Sequence, residues 1–523
     1  MGEQTHDPTT GPRVIVLGGG MSGLATAQRL AAHGVGEIVV AEAGERSLDD
    51  HINAVMSEEE IENRWRVPGE DPVLWRPWSS TLPPHYDGAT GLRRQLGGRS
   101  LYWHGVVLRM DPWALADSAA WPDVLGADQR LYQEVERELT TWCGQPLQAP
   151  RSDTEESFLD WFRTAGHAEV ERTPLAAQRF ETDAGPRWRA FSPLYAGWGP
   201  AATAGDCPAV RIRTGVRAIG IAADAGGVRA LLQDPGAGAP RWTRADALVL
   251  AAGALENTRL VAQALGERDP RHHEFPGLSD HILQGFVVHL PRNPWGTGGG
   301  DGACLLLRGD ADSRSNLFVK LIDVPGVDGV VVDAWEMGEQ EPSELNAVEY
   351  RDRARAPWPA TVRTGLTARD ADLVAGQQAR LQLLWERLAG ALDLPATRLD
   401  FGDYLTANRE VTGYLDRAVG TPGTAESYVN TLGGTDHESG TLPYGRILDP
   451  TGQVRGAPGV FVVGPAAFPR PGAANPSLTT LALARHTADQ VVRHLDGPDV
   501  SATYRRRTEG EDRVRHGIHS ATP

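Results

Sequence analysis

Val14-Ile-Val-Leu-Gly-Gly-Gly-Met-Ser-Gly23 decides the fold. Four apolar residues in a row predict a strand buried on both faces, as in the middle of a parallel sheet. Gly18 to Gly23 fits G-x-G-x-x-G, after which Leu24, Ala27, Leu30 and Ala31 recur at helical spacing and Ile38-Val-Val40 forms a second apolar run. Strand, turn, helix and strand in that order form a dinucleotide-binding unit. Gly18 allows the tight turn, Gly20 lets a pyrophosphate approach the backbone, and Gly23 lets helix and strand pack closely. Met21 and Ser22 open the helix, where free N–H groups and the helix dipole favour phosphate. Glu42 follows Gly23 by 19 residues at the end of the second strand, placed to accept hydrogen bonds from ribose hydroxyls and to repel a 2′-phosphate. These residues predict a dinucleotide site without choosing the dinucleotide.

Working outward, 523 residues with 41% hydrophobic content suffice for one large composite core or two domains. The net charge of -17 repels nucleic acid and anionic membrane and favours a neutral or cationic partner. Lys320 is the single lysine among 51 basic residues, a bias that fits a high-GC genome and says nothing of mechanism. Cys143, Cys207 and Cys304 are odd in number and far apart, which argues against a disulfide framework, a CxxC redox centre or a thiolate metal site. With an amino terminus that lacks an apolar signal core, this predicts a cytoplasmic protein with no membrane span. The sequence contains no H-E-x-x-H, G-x-S-x-G, P-loop or His/carboxylate cluster at metal spacing, so no metal site is expected.

Residues 56–90 turn acidic and Pro/Trp-rich and read as an excursion that interrupts the nucleotide unit. Helices are predicted over 128–142, 155–164 and 370–392, and strands over 247–253 and within 303–335. Residues 209–222 and 227–233 alternate apolar and polar around Asp224-Ala-Gly-Gly227, as the two arms of a hairpin do. Residues beyond 496 are polar and read as a loosely held tail.

Near the other end stand His437-Glu-Ser-Gly-Thr441, Val460-Phe-Val-Val-Gly464-Pro465-Ala466-Ala-Phe-Pro469 and Asn475-Pro476-Ser-Leu478-Thr479, followed by a helix over 481–492. This composite resembles the glucose-methanol-choline oxidoreductases, FAD enzymes that oxidise alcohols, and in its motifs their pyranose and sugar oxidase branch. Leu96-Gly97-Gly98-Arg-Ser100-Leu-Tyr102-Trp103-His104-Gly105 is similar to the family segment that passes under the flavin. Ala251-Ala252-Gly253-Ala-Leu-Glu-Asn-Thr-Arg-Leu260 matches a second flavin-side strand and turn, Val216 lies where a strand meets the adenine, and Leu278-Ser-Asp-His281 resembles a further segment beside the cofactor. Tyr102 stands where pyranose oxidases carry a flavinylated histidine, so the resemblance implies non-covalent FAD, with His104 leaving a covalent link open.

The resemblance implies an α/β fold, α+β overall. A Rossmann-like FAD-binding domain is expected from the discontinuous segments 12–55, 88–110, 205–285 and 437–496. An interleaved substrate domain with an antiparallel sheet and helices takes 56–87, 111–204 and 286–436, and residues 497–523 form the tail. It also implies His437 as catalytic base and Asn475 as its partner. The chemistry of the residues agrees: an imidazole near its reference pKa of about 6.5 accepts a hydroxyl proton, and a neutral amide steadies the oxygen. The expected substrate is a small hydroxyl-bearing molecule such as a sugar, glycoside or amino-sugar, with dioxygen or another electron acceptor. Fifteen tryptophans, all between Trp65 and Trp385, hint at sugar-stacking faces but more often fill core. The run Glu336, Glu339, Glu341 and Glu344 tolerates an amino-sugar yet reads first as a solvated face. A lyase-type relative in which flavin is a scaffold, and a catalytically silent flavin binder, are the alternative readings.

Overall fold

The computed structural model describes residues 12–497 apart from 67, 89, 117, 119, 127–128, 183–184, 197–208, 225–226, 237, 267–268, 270–271, 297–302, 325 and 407–413. Cys207 and the tail beyond 497 lie outside the described residues.

Arg13–Leu17 is a fully buried strand at the centre of a five-stranded parallel sheet. Across that sheet the order is Val460–Val462, Ala247–Leu250, Arg13–Leu17, Glu37–Ala41 and Val210–Arg213. Its strands come from both ends and the middle of the sequence. The helix Met21–Ala32 leaves the first strand, and the C-terminal helix Ser477–Leu495 packs against it. Gly18 turns between strand and helix at φ +110°, and a Cβ on it would lie 2.4 Å from the Ala251 carbonyl oxygen, so both conformation and close approach require glycine.

The predicted arm 209–222 is two strands in two sheets. Val210–Arg213 joins the parallel sheet, whereas Arg217–Asp224 pairs antiparallel with Gly227–Gln233 and, beyond it, Arg241–Ala245. The break falls at Gly215 and Val216, whose amides donate to the Gly44 and Glu42 carbonyls instead of continuing a ladder. Alternation alone does not register such a crossing, because both strands keep the same period.

A six-stranded antiparallel sheet forms the other half, in the order Ala425–Asn430, His281–Leu290, Val330–Glu339, Ser315–Ile322, Cys304–Leu307 and Glu171–Arg172. Side chains alternate between its faces. One face meets the helix Ala368–Ala391, through Gln284 to Gln377 at 2.8 Å and Glu336 to Arg380. On the opposite face Phe318, Met337 and Leu306 pack with Leu108 and Ala474, which brings the residue before Asn475 down onto the sheet. Asn316 fastens it there by donating to the Ala473 carbonyl at 2.9 Å.

Two of the four acidic residues read as a solvated face are interior. Glu336 and Glu339 are 1% and 2% exposed, Glu336 paired with Arg380 and Glu339 with Arg470 and Arg314, while Glu344 is exposed as expected. A buried carboxylate needs such partners. Several tryptophans fill core, Trp121 and Trp385 completely; Trp335 is half-buried and stacks on Phe318 at 5.3 Å between ring centroids. Among the described residues no helix is long and apolar enough to cross a membrane.

Candidate active site

The segments predicted to hold the cofactor converge on the first strand and its glycine turn. The Gly97 amide donates to the Gly19 carbonyl at 2.8 Å, and a Cβ on Gly98 would sit 3.4 Å from the Gly20 Cα, so the two glycine loops lie back to back. From the far end of the chain, Gly464 lies against Ser22, where its Cβ would come 3.4 Å from the Ser22 hydroxyl. Asn257 accepts from the Ala252 amide at 2.8 Å and donates to the Val463 carbonyl, locking the turn through Gly253 to the last parallel strand. Pro465 and Ala466 accept from the amides of Gly440 and Leu442, joining the His437 segment to the same place. Pro476 caps the C-terminal helix, and Leu478 is buried in its first turn.

The donor set fits a dinucleotide. A Cβ on Gly20 would meet nothing within 4 Å, so the space above the helix N-terminus is open where a pyrophosphate belongs. Glu42 is buried at the mouth of this space, each carboxylate oxygen accepting one amide, from Gly19 at 2.8 Å and Gly44 at 2.7 Å. Each oxygen keeps a lone pair for a ribose hydroxyl. Burial pushes the Glu42 carboxyl up to about 7 against the pull of those amides. The buried Oδ1 of Asn475 has no hydrogen-bond partner, as a group reserved for a bound molecule should.

Other predicted cofactor residues are tied into the protein. Ser100 donates to Gly97 at 2.7 Å and bonds Ser192, and the Trp103 indole donates to Phe191. The Gly105 carbonyl accepts from Ala176. Tyr102 is buried, its hydroxyl accepting from Arg64 at 3.2 Å and Gln95 at 3.3 Å. His104 is exposed to solvent.

At the other side of the glycine loops, His437 meets a residue the sequence reading did not rank as functional. His281 Nδ1 and His437 Nδ1 lie 2.7 Å apart, the rings edge-on at 86°, and His281 Nε2 lies 2.9 Å from the Gly472 carbonyl oxygen. His281 thereby links His437 to the loop that ends in Asn475. That loop is held from below by Glu339, which pairs with Arg470 and accepts from the Gly472 amide at 3.0 Å, and by Asp111, which accepts from the Ala473 amide. Arg99, inside the glycine-loop motif, forks onto Glu438 and pairs with Asp436 at 3.0 Å, clamping both neighbours of His437.

Burial, then the adjoining His281 and Arg99, holds the His437 imidazole well below its ordinary range. This corrects the expectation of a base near its reference pKa; the ring is neutral throughout the physiological range, and more weakly basic. Asp280, His281 and His437 bring ligand-type atoms within 4.8 Å of one another, a cluster that no motif in the sequence signalled. Hydrogen bonds engage it: Asp280 accepts from the Gly433 amide and the Thr435 hydroxyl, and the two imidazoles hold each other. Its one trace in the sequence was Leu278-Ser-Asp-His281, read only as lying beside the cofactor.

A family model described as GMC oxidoreductase matches residues 342–484, a span that holds His437 and Asn475. Over that span the chain is similar to the C-terminal part of the GMC oxidoreductases. The chain is an FAD-dependent enzyme that oxidises a substrate hydroxyl. It is 25% identical to the 6'''-hydroxyparomomycin C oxidase of Streptomyces lividus over 94% of this chain and 93% of that one. It is 24% identical to the paromamine 6'-oxidase of Streptomyces fradiae, with 94% of each covered. The pyridoxine 4-oxidase from Mesorbium loti shares the fold, with a TM-score of 0.61 over 92% of this chain and 99% of that one, at 16% identity.

Proposed function

We propose that this enzyme oxidises a hydroxyl of an amino-sugar or related glycoside, with His437 as the base and Asn475 as the group that holds the reacting oxygen. The observation that carries the assignment is the bridge through His281, which links the half-buried His437 to the loop bearing Asn475 on one face of the antiparallel sheet.

Gly18 to Gly23, Glu42 and the Gly97 to Gly105 loop would hold FAD, which when bound would supply the electron sink for the oxidation. The chain supplies the rest. His437 takes the hydroxyl proton, forming an N–H bond as the O–H bond breaks; a base in position is worth roughly 10²–10⁴-fold. Asn475 adds no titrating charge, and its amide donor steadies the developing alkoxide. Trp335 stacked on Phe318 offers an apolar platform on the sheet face that carries Ala474, suited to a sugar ring. The net charge of -17 favours a cationic amino-sugar over an anionic one, in keeping with the aminoglycosides for which the two Streptomyces oxidases are named. Dioxygen as electron acceptor is part of the proposal. So are the two interleaved domains with the boundaries given above, and FAD held without a covalent bond.

The test is anaerobic mixing of the holoenzyme with aminoglycosides, neutral glycosides and simple alcohols. Bleaching of the flavin band by amino-sugar glycosides at lower concentration than by neutral ones, with hydrogen peroxide formed in air, is expected. A flavin that no hydroxyl compound bleaches would sink the proposal.

A further inference from the structure

We propose that His281 is a positioning residue that fixes the tautomer of His437, leaving Nε2 of His437 as the nitrogen that receives the substrate proton. The inference rests on the reading of His437 as base, and it assigns a role to a side chain 156 residues away in sequence.

The hydrogen bonds form a chain whose direction is set at one end. The Gly472 carbonyl oxygen can only accept, so His281 Nε2, 2.9 Å away, carries a hydrogen and donates it. A neutral imidazole has one N–H, which leaves a lone pair on His281 Nδ1. His281 is neutral because it sits buried within the sheet, where enclosure pushes its imidazole down to about 4. His437 Nδ1, 2.7 Å from that lone pair, must therefore be the donor. With its hydrogen on Nδ1, neutral His437 has its lone pair on Nε2, a nitrogen to which no described residue donates.

The anchor is rigid at both ends. His281 opens a central strand of the six-stranded sheet and pairs in register with Glu339, and Glu339 in turn holds the Gly472 amide. The carbonyl that orients His281 and the carboxylate that orients the carbonyl's own residue thus belong to one unit. When Nε2 takes the proton from the substrate hydroxyl, Nδ1–H becomes a charge-assisted donor to His281, which strengthens the bond at the step where positive charge appears. Without His281, His437 divides between two tautomers and two ring orientations, and only one combination presents the lone pair to the substrate.

Two measurements test this. In ¹⁵N-histidine-labelled holoenzyme, with His437→Ala used to assign the resonances, Nδ1 of His437 is expected in the protonated range and Nε2 in the unprotonated range at neutral pH. The reverse assignment overturns the proposal whether or not a substrate has been found. In anaerobic single-turnover reduction, His281→Leu is expected to cut the limiting rate by about 10²-fold, within the usual range for a general base, with apparent substrate affinity changed by less than about 3-fold. His281→Gln, whose amide can donate to Gly472 and accept from His437, is expected to recover most of that loss. His281→Leu reducing at the wild-type rate, or a loss in affinity alone, contradicts the role. If His281→Leu does not fold with FAD bound, the wild-type spectrum decides the matter. A flavin that no alcohol reduces overturns the reading of His437 while the spectrum still judges the tautomer.

Discussion

Gly20→Ala and Gly23→Ala, three residues apart on the same turn, are predicted to fail in opposite ways. At Gly20 the backbone has φ -84° and ψ -165°, which alanine adopts without strain, and the added Cβ meets no protein atom within 4 Å. Apoprotein stability should stay level or rise by about 0.5 kcal/mol, through the lower entropy of the unfolded chain. The methyl group instead enters the space through which a pyrophosphate reaches the helix N-terminus. Losing one charge-assisted amide contact there costs about 2 kcal/mol, or about a 30-fold weaker FAD Kd. At Gly23 the Cβ would lie 1.9 Å from the Gly18 carbonyl oxygen and 3.2 Å from the Ala251 Cβ, so strand and helix must part. Overpacking of that severity costs about 3 kcal/mol and, in a chain of 523 residues, lowers the apoprotein Tm by roughly 3 °C. Thermal melts of the apoproteins and fluorescence titration with FAD separate the two. The reasoning is refuted if Gly20→Ala binds FAD within 3-fold of wild type, or if it melts as low as Gly23→Ala.

Glu42→Ala removes the acceptor for two ribose hydroxyls and should weaken FAD binding by about 30-fold, at about 1 kcal/mol per hydrogen bond, as read by the same titration. Glu42, Asp280 and Asp333 carry buried carboxyls raised to about 7, 7 and 6, above their unfolded values of 4.5, 3.8 and 3.8. Between about pH 4 and 7 each of these carboxyls holds more protons folded than unfolded, which lowers stability as pH rises, whereas the lowered His281 and His437 act the other way; the carboxyl share is therefore read as a difference, and the Tm of Asp333→Asn relative to wild type should rise from pH 5 to pH 7, a constant difference refuting this. Arg99→Met leaves the buried Glu438 without its fork and should cost about 3 kcal/mol. It also removes a charge that depresses His437, so the acid limb of the pH–rate profile should move to higher pH. Because Tyr102 takes the position of the flavinylated histidine, acid precipitation should release all FAD into the supernatant, and colour kept in the pellet would implicate His104.

The parallel sheet and its cofactor turn were legible because their signals are local. A four-residue apolar run, glycines at fixed spacing and Glu42 sit within thirty residues, and the structure seats them as read. His437 and Asn475 were legible through the string around them, on both sides of the strand Val460–Val462. What escaped was pairing at a distance. His281 reads as one more polar residue until the antiparallel sheet sets it 2.7 Å from His437. Glu336 and Glu339 look solvated until Arg380, Arg470 and Arg314 close on them from three other segments. Arg99 was inside a quoted motif, yet its work lies 339 residues on, at Glu438. The lowered His437 basicity has the same origin, since burial and neighbouring cations appear only once the chain has folded.

Anaerobic stopped-flow reduction of the wild-type enzyme and His437→Ala, each loaded with FAD and mixed with the best substrate from the panel, tests the central claim most directly. Equal FAD content and a fall in reduction rate of about 10²–10⁴-fold in the variant are expected. Reduction at an undiminished rate with FAD still bound would contradict it.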